Sequence, residues 1–150
     1  MTSTEPHDSI LANYQQELED ARKSGQLEVL NKLYNQFGTI YLSNKAYEQG
    51  MGMFKSAIQI AKDQADREME ARSIGAKGLA LADTGRVEEA YKCFQSVLEI
   101  AEEINNREMA HVAVESFVPI PFIDDKIADW LAANVPDPDG KWHGLVGKVQ

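Results

Sequence analysis

The sequence predicts an all-α protein, built as an array of antiparallel helix pairs. Three observations carry that expectation. The chain repeats itself at an interval of 40 residues: Ile60-Ala61 returns as Ile100-Ala101, Arg67-Glu68-Met69 as Arg107-Glu108-Met109, Gly38 as Gly78 and Phe54 as Phe94. A period of that size marks stacked supersecondary units rather than one globular core. Apolar residues recur at helical spacing between breaks rich in Gly, Asn and Ser. No segment alternates apolar and polar residues as a half-buried strand does.

The elements follow in order. Met1–His7 is polar and contains Pro6, so it reads as a disordered lead-in, with the repeat domain over residues 8–118. Asp8 or Ser9 can cap a first helix to about Lys23, with Ile10, Leu11, Tyr14, Leu18 and Ala21 at helical spacing; Ser24-Gly25 breaks it. The second helix covers about Gln26–Leu42, with Leu30, Leu33, Tyr34, Phe37, Gly38 and Tyr41 on one apolar face. Ser43-Asn44 is expected to end it, because Asn tolerates the left-handed conformation. The third runs from about Lys45 to Lys62 with Tyr47, Gly50, Phe54, Ala57, Ile58 and Ala61 inward. The fourth covers about Asp66–Asp83, and Thr84-Gly85 turns the chain. The fifth covers about Val87–Ile104, and Asn105-Asn106 turns it again. A sixth helix starts near Arg107, and Pro119 and Pro121 are expected to stop it. Residues 119–150 are expected to be a cap and tail. Ile120–Ile123 reads as an extended connector, Asp124–Asn134 as a short capping helix with Ile127, Trp130 and Leu131 on one side, and the remainder as an irregular tail.

Charge and composition narrow the function. The formal net charge is −9 and no Lys/Arg run is present, which argues against nucleic acid as a partner and against an anionic membrane surface. No apolar run approaches the roughly 20 residues of a spanning helix. The polar start of the chain predicts no signal peptide. The single cysteine, Cys93, excludes an intramolecular disulfide and fits a reducing, cytoplasmic compartment.

The repeated unit carries a pattern. The first copy reads Tyr34-x2-Phe37-Gly38-x2-Tyr41, then Gly50-x3-Phe54. The second reads Ile74-x2-Lys77-Gly78-x2-Leu81, then Ala90-x3-Phe94. A third begins as Val114-x2-Phe117-Val118 and is cut off by the prolines. In each complete copy two small residues, 12 apart, let two helices cross closely, and an aromatic one turn on fills the space beside the crossing. Gly38 is therefore expected to face Gly50, and Gly78 to face Ala90. The pattern resembles the tetratricopeptide repeat family. The closing Pro of that pattern is replaced by Lys62 and Glu102, the period is 40 rather than 34, and Lys77 stands where the pattern has Leu. The chain thus looks like a long-repeat form, in which the second helix of each pair is expected to run longer.

The resemblance implies a solenoid whose first helices line a concave groove, and a non-enzymatic scaffold that binds a peptide or helix of another protein there. On the second helix the expected inner face is Lys32, Asn35, Gln36, Thr39 and Ser43. On the fourth it is Arg72, Gly75, Ala76, Leu79 and Asp83, and on the sixth Val112, Glu115 and Ser116. Lys32 and Arg72 would meet acidic groups, Asn35 and Gln36 an extended backbone, and the Gly75-Ala76-Leu79 patch a side chain or helix at close range. The alternative is a structural homo-oligomer, in which the apolar ends of short solenoids stack. No cofactor or metal is expected. His7, His111 and His143 lack ligand spacing, Asp137-x-Asp139-Gly140 lacks the terminal Glu of a calcium loop, Gly50-x-Gly52 lies inside a helix, and Cys93 reads as a packed thiol.

Overall fold

The computed structural model describes residues 6–116 and 123–136, with side chains from residue 12 to 115 and from 123 to 136. Seven helices make up the described chain: α1 (Pro6–Ser24), α2 (Leu27–Ser43), α3 (Tyr47–Asp63), α4 (Arg67–Asp83), α5 (Val87–Ile104), α6 (Arg107–Ser116) and α7 (Asp125–Asn134). No strand occurs among the described residues. The expected stop of α6 at Pro119 and Pro121, most of the connector before Ile123, and the tail from residue 137 lie outside them.

One turn, used five times, sets the architecture. Gly25, Lys45, Ala65, Gly85 and Asn105, spaced 20 residues apart, all have positive φ, at 71°, 65°, 52°, 85° and 54°. At each, two backbone N–H groups reach back into the finished helix. Ala46 N donates to Tyr41 O at 2.9 Å and Lys45 N to Leu42 O at 3.0 Å. The same pair of bonds recurs from Asp66 to Ala61 at 2.9 Å, Arg86 to Leu81 at 2.8 Å and Asn106 to Ala101 at 2.9 Å, with the preceding residue bonding in parallel. This left-handed closure satisfies carbonyls that a helix end otherwise leaves unpaired. The residue after the left-handed one is the N-cap of the next helix, so each helix-plus-turn module takes 20 residues and each pair takes 40.

That geometry corrects two expectations. Lys45, not Asn44, takes the left-handed position; Asn44 has φ −96° and stays outside it. The closing hydrogen bonds fix the position, so the side chain with the better left-handed propensity does not decide it. The extra length of the repeat is also shared: α2, α3 and α4 have 17 residues and α5 has 18. The α1 helix starts at Pro6, ahead of the expected cap, where proline's missing N–H is no loss.

Successive helices pack in order, α1 on α2 through α5 on α6, and α2 also packs on α4. The Asp66 side chain accepts from Met69 N at 2.9 Å and the Asn106 side chain from Met109 N at 3.0 Å, so the repeated Arg-Glu-Met triplet follows a capped start both times. The core forms two clusters, a small one between α1 and α2 around Ala21, Leu30 and Leu33 and a large one reaching from Leu42 of α2 to α7. Leu42, Phe54, Leu81 and Leu98 of the large cluster lose nearly all solvent contact, Ile127 and Leu131 of α7 belong to it, and Phe37 is buried as well. Fully burying each such side chain contributes about 1.5–3 kcal/mol. The close crossings sit at the glycines. A Cβ on Gly50 would lie 3.0 Å from Gly38 O, as the spacing predicts. A Cβ on Gly78 would first meet Cys93 Cβ at 3.0 Å and the Phe94 ring at 3.2 Å, about one turn beyond the expected Ala90.

The α7 helix closes the far end. It packs on α5, buries Ile123, Ile127, Ala128, Leu131 and Val135, and ties Lys126 Nζ to Glu102 Oε1 at 3.2 Å. Asp124 caps it by accepting from Ile127 N at 2.9 Å. Trp130 is half-buried against the cluster, so Ile127 and Leu131 supply the fully buried anchors that the sequence assigned in part to it.

Candidate functional site: a groove between α4 and α6

The first helices of the pairs meet in two different ways. Between α2 and α4 the seam is closed by polar side chains. Asn31, buried to 6% exposure, donates from Nδ2 to Ala57 O at 2.8 Å and to Ser73 Oγ at 2.8 Å. Asn35 Nδ2 donates to the same Ser73 Oγ at 3.2 Å. These bonds hold α2, α3 and α4 together at one point, and Ser73 is fully buried there.

Advancing each position by one repeat removes that closure. Asn31 becomes Ala71, Asn35 becomes Gly75 and Ser73 becomes Ala113. The side chains that fill the first seam are missing from the second, and α4 and α6 do not approach as α2 and α4 do. A groove of about 410 Å³ opens between them. Its α4 wall is Ala71, Arg72, Gly75, Ala76 and Leu79. Phe94 and Val97 of α5 form the floor, and Met109, Val112 and Ala113 the α6 wall. The lining is mostly apolar, with Arg72 and Glu108 as its charged members. Leu79 and Val112, at 50% and 62% exposure, are large apolar side chains left open to water. A Cβ on Gly75 would come no closer than 3.8 Å to Val97, so the wall is recessed there but not crowded.

Of the positions expected from sequence, Arg72, Gly75, Ala76, Leu79 and Val112 come together in this groove. Lys32, Asn35, Gln36 and Thr39 lie on α2, beyond the closed seam, and do not line it. Asn35 uses its amide donor on Ser73, and Thr39 Oγ1 donates back to Asn35 O at 3.1 Å. Lys32 is exposed and Gln36 half-buried. Asp83 sits at the exposed end of α4, and Glu115 pairs with His111 Nε2 at 3.4 Å along α6. The residues that sequence reasoning missed include the floor, Phe94 and Val97, Ala71 on the near wall, and Glu108, Met109 and Ala113 on the far wall. The translation that relates Met69 to Met109 and Ala57 to Val97 was the signal available for finding them.

Cys93, on α5, lies outside the groove lining. It is buried, and burial pushes its thiol up from the ordinary range, with Lys77 opposing and Glu89 adding to the shift. A larger hollow of about 940 Å³ lies between the start of α6 and the end of α7. Its walls mix charged and amide side chains, among them Glu68, Asn105, Arg107, Glu108 and Asn134, with Ile104, Val112 and Pro136, so its apolar lining is broken up by charge. No described helix is long and apolar enough to cross a membrane.

A family model for the tetratricopeptide repeat matches residues 71–104. That span begins near the start of α4 and ends with α5, so the pair that walls and floors the groove is the matched unit. No curated protein and no solved structure matches the chain.

Proposed function

We propose that this tetratricopeptide-like array is a non-enzymatic recruitment scaffold that acts in the cytoplasm and holds a peptide or helix of another protein in the groove between α4 and α6. The observation that carries the reading is the paired loss of side-chain volume and polarity at Ala71, Gly75 and Ala113, with Leu79 and Val112 exposed beside it. A self-contained helical array gains nothing from leaving that seam open. An apolar side chain of a partner fills it, and each large side chain fully desolvated in this way contributes about 1.5–3 kcal/mol. Arg72 and Glu108 then set the polarity of the partner segment, since opposite charges within the groove penalise the reversed orientation. The 40-residue spacing supports reading the array as a long-repeat form of the tetratricopeptide pattern. On this reading Lys32, Gln36 and Thr39 extend the contact along α2, and Asp83 and Glu115 bound it.

Affinity capture from cell extract with the wild type, Leu79→Arg and Glu99→Arg, beside light scattering of each purified protein, tests the reading. A monomer whose captured partner is lost with Leu79→Arg and kept with Glu99→Arg supports it. A tight dimer that Leu79→Arg splits into monomers, with no captured partner, replaces it with self-association.

A further inference from the structure

The opposite face of α4 carries a second departure from the repeat. At about 100° per residue, Glu70, Ile74, Lys77 and Leu81 point away from Arg72, Gly75, Ala76 and Leu79. In the first repeat the positions equivalent to Ile74, Lys77 and Leu81 are Tyr34, Phe37 and Tyr41, three aromatics. Phe37 is 2% exposed there, edge-on to Tyr14 at 5.8 Å and stacked with Tyr41 at 6.2 Å. The first repeat therefore fills this side with its own rings. The second repeat has a cleft of about 390 Å³ instead, between α3 and α5, with Lys77 where the ring of Phe37 would be.

Charge gathers in that cleft against the trend of the molecule. Lys62 of α3, Lys77 of α4 and Lys92 of α5 all line it. None of the three has an ion-pair partner among the described residues. The two carboxylates of the cleft are already engaged: Glu70 with Arg67 at 2.8 Å and Glu89 with Arg86 at 3.4 Å. The site is thus locally positive in a chain of net charge −9. Ile58, Ile74 and Leu81 give it an apolar base.

We infer that this cleft binds an acidic peptide segment that inserts one large apolar side chain where the first repeat has Phe37. The flexible chain of Lys77, standing in place of the ring, can swing aside and admit that side chain over Ile74, and the three lysines meet the flanking carboxylates. Uncompensated lysines around an apolar base select for charge as well as shape.

Fluorescence anisotropy with a labelled peptide, one phenylalanine flanked on each side by two glutamates, tests this on the full chain. The expected result is saturable binding that weakens with added salt, since the attraction acts within a screening length of about 8–10 Å. Lys62→Ala and Lys92→Ala each weaken it about two- to fivefold, as single exposed pairs do. Lys77→Phe, which restores the ring that Phe37 supplies in the first repeat and so refills the cleft, weakens it more, and the triple variant abolishes it. Thermal melts confirm that each variant is folded. Leu79→Arg, in the other groove, leaves the affinity unchanged, so the two sites fail or hold separately. Three results overturn the inference: no binding of the acidic peptide, equal binding by a peptide with lysines in place of the glutamates, or undiminished binding by the folded triple variant.

Discussion

Four glycines inside helices make a graded test of the packing. Replacing each with alanine gains about 0.8–1.0 kcal/mol of helix propensity, so the four variants differ only in what the new methyl group meets. At Gly52 nothing lies within 4 Å. Gly52→Ala therefore keeps the whole gain. At Gly75 the methyl reaches Val97 Cγ2 at 3.8 Å, ordinary contact, and the gain survives. At Gly78 it meets Cys93 Cβ at 3.0 Å, an atom fixed to the α5 backbone, so two helices must part by a few tenths of an ångström. The cost about cancels the gain. At Gly38 it falls 2.6, 2.7 and 2.8 Å from three atoms of the Phe54 ring. Phe54 is fully buried and has nowhere to swing. Overpacking costs about 1–3 kcal/mol. Gly38→Ala is therefore destabilised by up to about 2 kcal/mol net. With about 2–4 °C per kcal/mol for a chain of this size, Gly52→Ala melts several degrees above Gly38→Ala. Circular dichroism melts and urea titrations rank the set as Gly52 and Gly75 highest, Gly78 near wild type and Gly38 lowest. A Gly38→Ala melt at or above that of Gly52→Ala refutes the crossing geometry.

Three further predictions address the turn, the seam and the cap. Ala65 has φ 52°, a conformation that costs an L-residue about 1–2 kcal/mol, so Ala65→Gly should raise the denaturation midpoint despite glycine's extra chain entropy, while Ala65→Val lowers it. Asn31→Ala strips Ala57 O and Ser73 Oγ of a buried donor and should cost about 1–3 kcal/mol in urea unfolding, whereas Lys32→Ala beside it stays within about 0.5 kcal/mol. Leu131→Ala, at a residue with no solvent exposure, should lose about 2–5 kcal/mol; a melt equal to wild type would show that α7 is not part of the cooperative core.

Most of the fold was legible because the repeat overdetermines it. Gly25, Gly85 and Asn105 announce their own turns, and the 40-residue translation supplies the turns at Lys45 and Ala65, whose side chains give no left-handed signal. Sequence placed the second turn on Asn44 because propensity was weighed locally, while the backbone bonds from Lys45 and Ala46 fix it one residue later. The candidate site was legible only in part. The small residues Gly75 and Ala76 and the apolar Leu79 marked the α4 wall, but whether a seam between first helices is open depends on volumes from three helices at once. Asn35 looked like a ligand donor and is instead tied into a closed seam through Ser73, 38 residues away. No periodicity on α2 alone contains that pairing.

The central claim is that the open seam between α4 and α6 receives another protein. Its most direct measurement is amide NMR of the labelled protein titrated with the partner that wild type captures. The account predicts the largest shifts at Gly75, Ala76, Leu79, Val97, Val112 and Ala113, with Lys62, Lys77 and Lys92 unmoved. Shifts that spare α4 and α6 and fall on other helices would contradict it.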